Sequence, residues 1–152
     1  MSFEKKAEEL GIVIPEPAKP LASYIPAKKV DNFVFTSGQL PFVAGKLLFT
    51  GKVGAEVSLE EAQKAAEVSI INCLGAVKQL VGSLDAIDSI VKLTAFVNCP
   101  ADFTEQPKVA NGASDLLGKI FGESGAHARS AVGVNVLPLN APVEIEMIVK
   151  LK

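Results

Sequence analysis

The chain has 152 residues, with 15 Lys+Arg against 17 Asp+Glu, a formal charge of −2, 49% hydrophobic residues and 21% charged ones. That balance excludes a disordered polymer and fits a soluble globular domain, which at this length buries roughly 70% of the surface its unfolded chain exposes without a staple. No stretch approaches the ~18 apolar residues of a membrane span, and the nearest thing to a basic stripe, Lys28-Lys29, reads as a solvated turn.

The first ten residues are charged and amphipathic with no apolar signal core, and residues 3–10 predict one or two helical turns stopped by Gly11. Pro15, Pro17 and Pro20 then force an extended connection, so residues 1–21 read as an N-terminal extension and 22–152 as a single domain. A first strand is predicted over Ala22 to Val30, a tight turn at Asp31-Asn32, and a second strand over Asn32 to Ser37, stopped by Gly38. A short strand near Leu47 to Thr50 follows the Ala44-Gly45 turn.

Ser58-Leu59-Glu60-Glu61 is a capping box, in which serine and glutamate satisfy amide groups left unpaired at a helix start. Leu59, Ala62, Ala66, Ile70, Cys73, Val77 and Leu80 follow at steps of three and four, which makes a helix of about six turns closed by Gly82. Ile87 to Val97 reads as a long strand, Gln106 to Phe121 as a second helix, and Ala128 to Val136 and Val143 to Leu151 as two last strands. Asn111-Gly112 has the form of a hairpin turn inside that second helical pattern and is taken to start the helix proper. The order β-β-β-α-β-α-β-β predicts an α+β fold with two helices packed on one face of a sheet.

The last two strands carry the candidate chemistry. Val143, Ile145, Met147, Val149 and Leu151 form an apolar set on one face, with Glu144, Glu146, Ile148 and Lys150 on the other. In the preceding strand Ala128, Ser130, Val132, Val134 and Val136 form the more apolar set, opposite Arg129, Ala131, Gly133 and Asn135. If both apolar sets face the helices, Arg129 and Glu144 share the second face, with small residues leaving room around the guanidinium. One reading makes Arg129 a surface cation paired to a glutamate, a contact of under ~1 kcal/mol. The other notes Ile90, Phe96 and Ile148 on the same face and buries it in a subunit interface. Periodicity alone favours the first reading, and with those apolar residues weighed the sequence leaves the two open.

Other chemistries find little footing. The single histidine, His127, lies two residues before Arg129, but no Gly-x-Ser-x-Gly elbow accompanies it, and a lone histidine is usually structural or solvated. HExxH, paired metal-ligand spacing and a Walker phosphate loop are all missing, and Gly51-Lys52-Val53-Gly54 lacks P-loop spacing. Cys73 and Cys99 sit in no CxxC pattern, so both are expected as free thiols of a cytoplasmic protein.

Thr36-Ser37-Gly38-Gln39-Leu40-Pro41 resembles the early Ser-Gly-Gln-Pro-type segment of the reactive-intermediate deaminase (Rid, or YjgF-like) family. Ala128-Arg129-Ser130-Ala131-Val132, then Leu137-Pro138 and Val143-Glu144-Ile145-Glu146, resemble its C-terminal signature. Tyr24, 13 positions before Ser37, and Glu144, 15 after Arg129, match the family's spacing, and Asn111 resembles the asparagine that opens its second helix. The likeness spans Ala22 to Lys150.

The resemblance implies a chorismate-mutase-like fold of the bacillus type, assembled as a homotrimer with clefts between subunits that take a small carboxylate. It implies hydrolysis of a reactive 2-imino or 2-enamino acid, without metal or cofactor: water adds to the imine carbon, ammonia leaves and a 2-keto acid forms. Carried over, Arg129 grips the substrate carboxylate and Glu144 handles the attacking water. Tyr24, Ser37, Gly38, Asn111 and Ala131 line the pocket, the last through its backbone. The chain departs from the pattern at Ala131, where many members have cysteine, and at His127, where proline is usual. Its proline-rich N-terminal segment and Leu47 to Val57 are longer than in compact members, which marks a divergent subgroup.

The competing reading is a non-catalytic trimeric module that binds small carboxylates or 2-keto acids through the same arginine. Glu144 favours the enzyme, because an anion site gains nothing from a neighbouring carboxylate. Endoribonuclease activity is disfavoured by the acidic balance, and chorismate mutase activity rests on fold analogy alone.

Overall fold

Ser58 starts the longest helix as its capping box requires. In the computed structural model, which describes residues 2–17 and 23–152, the Glu61 amide donates to Ser58 Oγ at 3.1 Å and the Ser58 amide to Glu61 Oε1 at 3.0 Å. The helix, α2, spans Leu59–Val81 and is closed by Gly82 at φ 94°. A second long helix, α3, spans Gln106–Phe121 with Pro107 in its first turn, where a missing amide hydrogen costs nothing. Its start lies one turn ahead of Asn111-Gly112, so that dipeptide neither turns the chain nor opens the helix. Gly112 is there because α2 is close: a Cβ at that position would stand 2.1 Å from the Gln63 carbonyl oxygen.

A five-stranded sheet lies beneath both helices in the order β1-β2-β7-β5-β6. Its strands are β1 (Ala27–Val30), β2 (Phe33–Thr36), β5 (Ile87–Asn98), β6 (Ala128–Val134) and β7 (Val143–Leu151). All neighbours are antiparallel except β5 and β6, which α3 connects as a parallel pair. Asp31, at φ 51°, makes the β1–β2 turn. The first strand is shorter than expected: Ser23 to Pro26 are not in it, and Ala22 lies outside the described residues. The strand expected at Leu47 to Thr50 is instead part of a separate two-stranded ribbon, β3 (Phe42–Val43) and β4 (Lys46–Leu47). Ala44 and Gly45, at φ 50° and 80°, form the tight hairpin that fixes its register. The strand expected to reach Val136 ends at Val134.

The N-terminal helix α1 (Phe3–Glu9) is docked rather than free, since Asp85 Oδ1 accepts from the Phe3 and Glu4 amides at 2.6 and 3.2 Å. Glu4 returns the contact, accepting the Leu84 amide at 2.7 Å, and the Phe3 ring packs 4.6 Å from that of Phe121.

Val143, Ile145, Met147, Val149 and Leu151 of β7 face the helices and are buried, as alternation predicts. Two other face assignments are corrected. Ile90 is 2% exposed and in the core, because register irregularities between Ile87 and Ser89 and between Ile90 and Lys92 break the alternation of β5. In β6 the phase is reversed. Leu93, Ala95 and Val97 of β5 face the helices, and their parallel partners are Arg129, Ala131 and Gly133. The helix side of this edge strand takes small residues because α3 and its loop press on it: a Cβ on Gly133 would stand 2.9 Å from both Cys99 Sγ and Gln106 Nε2.

Candidate functional site

Arg129 therefore points toward α3, and it is held there by neutral groups. Its Nη1 donates to Asn111 Oδ1 at 2.9 Å and to Ser114 Oγ at 3.1 Å, and its Nη2 to the Pro107 carbonyl at 3.4 Å. The guanidinium is half-buried and makes no ion pair among the described residues. Among the described residues three of its five N–H donors are engaged, which leaves two. Asn111 and Ser114 reach it together because they stand one helical turn apart on α3.

His127 lies behind Ser114. Its Nδ1 is 2.6 Å from the Gly125 carbonyl oxygen and its Nε2 is 2.9 Å from Ser114 Oγ. A carbonyl only accepts, so the neutral ring carries its proton on Nδ1 and Nε2 receives the serine hydroxyl. The sequence reading did not single out Ser114, although its spacing was informative: it follows Asn111 by one turn, and His127 lies two residues before Arg129, just ahead of β6.

Glu144 leaves β7 on the opposite, open face, and the expectation that it shares a face with Arg129 is overturned by the β6 register. It sits beside Phe96 across the β5–β7 pair. Burial, and then the Glu146 carboxylate, hold its carboxyl above the ordinary range. Gly38 lies directly against it, since a Cβ there would come within 2.8 Å of Glu144 Cδ. That approach is fixed by backbone bonds between Gln39 and Ile145, with N···O distances of 2.7 and 3.1 Å. Ser37 Oγ donates to the Ile25 carbonyl at 2.5 Å and its amide to the Pro26 carbonyl at 2.8 Å, which ties the Ser37-Gly38 corner to the chain around exposed Tyr24. Tyr24, Lys28, Phe35 and Ser37 border a shallow depression of about 460 Å³.

The structure thus sorts the seven candidates into two groups. Arg129, Asn111 and Ala131 lie at the edge strand on the helix side, whereas Tyr24, Ser37, Gly38 and Glu144 lie along β2 and β7, the last on the open face. That face carries Phe96 and Ile148, as expected, and also exposed Val30, Phe33, Phe35 and Val132. Cys73 and Cys99 are buried and unpaired. Among the described residues no three His, Cys, Asp or Glu side chains are placed to share a metal ion, and no helix is long and apolar enough to cross a membrane.

A family profile described as "YjgF/chorismate mutase-like, putative endoribonuclease" matches residues 4–151. The chain belongs to the YjgF-like, or reactive-intermediate deaminase, family. Among curated relatives, protein TCP17 of Trypanosoma cruzi is 41% identical over 145 residues, covering 95% of this chain and 91% of that protein. A 2-iminobutanoate/2-iminopropanoate deaminase of Dermatophagoides farinae is 32% identical over 138 residues, covering 91% and 93%. Among solved structures, Atu1372 of Agrobacterium tumefaciens, a protein described as of unknown function, superposes with a TM-score of 0.90 at 42% identity, covering 99% of this chain and 92% of that one. The mixed sheet with helices on one face is the YjgF and chorismate-mutase-like architecture.

Proposed function

We propose that this family member hydrolyses reactive 2-imino or 2-enamino acids to 2-keto acids and ammonia, in clefts formed between subunits of a homotrimer in the cytoplasm. The observation that carries the reading is Arg129. It is a half-buried cation with no acidic partner among the described residues, anchored by Asn111, Ser114 and the Pro107 carbonyl, with two donors left for a carboxylate. The absence of a glutamate partner among the described residues supports this reading over a surface ion pair within the chain.

In that chemistry the substrate carboxylate takes up the two remaining Arg129 donors. Glu144 accepts a proton from water as the oxygen bonds to the imine carbon. The nitrogen gains the C=N electron pair and the proton that Glu144 took from the water, giving a tetrahedral carbinolamine. The hydroxyl proton then passes to the nitrogen by way of Glu144, the C–N bond breaks, ammonia leaves and the carbonyl of the 2-keto acid forms. A carboxyl raised by burial suits this proton traffic better than a fully solvated one.

The two-subunit site follows from the two groups of candidates. Within one chain Arg129 and Glu144 are on opposite sides of the sheet, so a cleft that uses both takes them from different copies. Exposed Val132 beside Phe96, and exposed Phe33 and Phe35 opposite Lys150 and Ile148 on the same face, supply the apolar surface such a copy would cover. Ribonuclease activity has less support, because the open face interleaves Lys28, Lys92 and Lys150 with Glu144 and Glu146 instead of presenting one positive field.

The test follows 2-iminobutanoate, generated in situ by an amino-acid oxidase, with and without the protein. Decay faster than buffer, with stoichiometric 2-oxobutanoate and ammonia, is the expected result. Binding of 2-oxobutanoate without any acceleration would replace the enzyme by a carboxylate-binding module.

A further inference from the structure

Ser114 occupies the middle of α3, a position where a serine hydroxyl ordinarily donates to the carbonyl one turn back along its own helix. Here it does not have that freedom. The Gly125 carbonyl, 2.6 Å from Nδ1, sets the neutral His127 ring with its unprotonated Nε2 toward Ser114, and the serine hydroxyl, 2.9 Å away, gives its hydrogen to that nitrogen. The lone pairs of Oγ are thereby turned outward, and one of them receives Arg129 Nη1 at 3.1 Å. His127 and Arg129 are two residues apart on the helix-facing side of β6 and its lead-in, so one strand carries both ends of this chain and α3 carries its middle.

We infer that Ser114, with its hydroxyl turned by His127, is a positioning residue that presents Arg129 to its anionic ligand. The inference rests on the carboxylate-gripping reading of Arg129 given above, and adds what orients it. A guanidinium bound on one side by acceptors of fixed direction keeps its plane, and with it the two remaining donors, in one orientation; a bidentate grip depends on that plane. Asn111 takes one Nη1 hydrogen at 2.9 Å and the Pro107 carbonyl one Nη2 hydrogen at a long 3.4 Å, and Ser114 Oγ, at 3.1 Å, is the acceptor that takes the second Nη1 hydrogen and completes that side of the guanidinium.

The experiment measures 2-oxobutanoate affinity by calorimetry and 2-iminobutanoate hydrolysis on Ser114→Ala, Ser114→Thr, His127→Leu and Arg129→Ala, each recovered at the wild-type assembly size. Losing an acceptor to a charged donor corresponds to about a 10-fold loss of affinity. Ser114→Ala is expected to show that loss, carried mainly in KM with kcat much less changed, and Ser114→Thr to recover most of it because the Oγ is retained. His127→Leu is expected to follow Ser114→Ala, since the freed hydroxyl turns back to its helix. Wild-type affinity in Ser114→Ala, with Arg129→Ala inactive, overturns the inference and leaves the Arg129 reading standing. Wild-type behaviour of Arg129→Ala overturns that reading and the inference with it. If Ser114→Ala does not assemble, His127→Leu decides alone, and wild-type affinity there overturns the inference equally.

Discussion

Arg129 and Glu144 lie on the two strands that flank β5, and their side chains leave the sheet on opposite faces. The parallel pairing of Leu93 with Arg129 and the antiparallel pairing of Phe96 with Glu144 fix this, because Leu93 and Phe96 themselves point to opposite sides of β5. One chain therefore presents the proposed anion grip and the proposed proton acceptor to different partners.

If the proposed site uses both residues, assembly is expected to be required for activity. The wild-type protein is expected to sediment as a trimer at micromolar concentration. A charge on the open face, Val132→Glu or Phe35→Glu, is expected to give folded monomers that have lost turnover, because both residues are exposed in the single chain and their replacement costs the isolated fold little. Sedimentation velocity with circular dichroism on the same samples checks it. An active wild-type monomer would rule out the two-subunit site.

Much of this was legible in the sequence. The Ser58 capping box and the three-and-four spacing from Leu59 give α2 outright, because local hydrogen bonding and burial agree there. The phase of β6 was not legible. Alternation shows that Ala128, Ser130, Val132 and Val134 share a face, but not which face, and the more apolar set proved to be the one turned from the helices. On an edge strand under a close helix, small size at Ala131 and Gly133 outweighs apolarity, and only a contact distance shows that. Ile90 was misplaced for another reason, the irregular register of β5, which leaves no mark in residue type. Ser114 was readable in principle, one turn from Asn111, but nothing in the sequence aims a mid-helix serine at an arginine.

The cysteines are expected to be silent. Cys73 is fully buried, accepts the Thr36 hydroxyl at 3.7 Å, and burial first, with Glu146 and Glu144 adding to it, pushes its thiol up to about 12. It is expected to resist thiol reagents at pH 8 until the protein unfolds. Cys73→Ala with Cys99→Ala is expected to stay trimeric and active, at a stability cost of about 1 kcal/mol for each small cavity. Thiol titration in native and denaturing buffer, beside the imine assay, tests both statements, and loss of turnover in an assembled double variant would count against them.

Glu144 is expected to write its environment into the pH profile. Its carboxyl is raised by burial and then by Glu146, so kcat/KM is expected to fall as pH drops through a value above the ordinary 4.5. Glu146→Gln removes the second cause and is expected to move that acid limb to lower pH. Stability moves in the opposite sense. The folded state binds this proton more tightly than the unfolded one, so the contribution is full below the unfolded value and is lost as pH rises through the folded value. Glu144→Gln is therefore expected to be at least as stable as wild type at pH 7, and to flatten the decline in melting temperature across that window. Melting curves from pH 4 to 8 measure it; an acid limb unmoved by Glu146→Gln would remove Glu144 from the proton-transfer role.

Arg129 bears the heaviest weight. If it grips the substrate carboxylate in a cleft between subunits, Arg129→Ala removes one partner of a desolvated charge pair, a loss of about 2–5 kcal/mol or roughly 30- to 5,000-fold in binding. Arg129→Lys is expected to recover little: lysine keeps the charge but cannot hold Asn111, Ser114 and the Pro107 carbonyl while offering two coplanar donors to a ligand. Glu144→Gln is expected to differ in kind, with 2-oxobutanoate affinity largely kept and hydrolysis reduced, because its proposed task is the water and not the anion. A purely structural arginine predicts another pattern, in which affinity and turnover fall only as far as trimer content falls. Oligomeric state, 2-oxobutanoate affinity and 2-iminobutanoate decay, read on the same preparations, separate the two. Normal decay in a well-assembled Arg129→Ala trimer would reject the assignment.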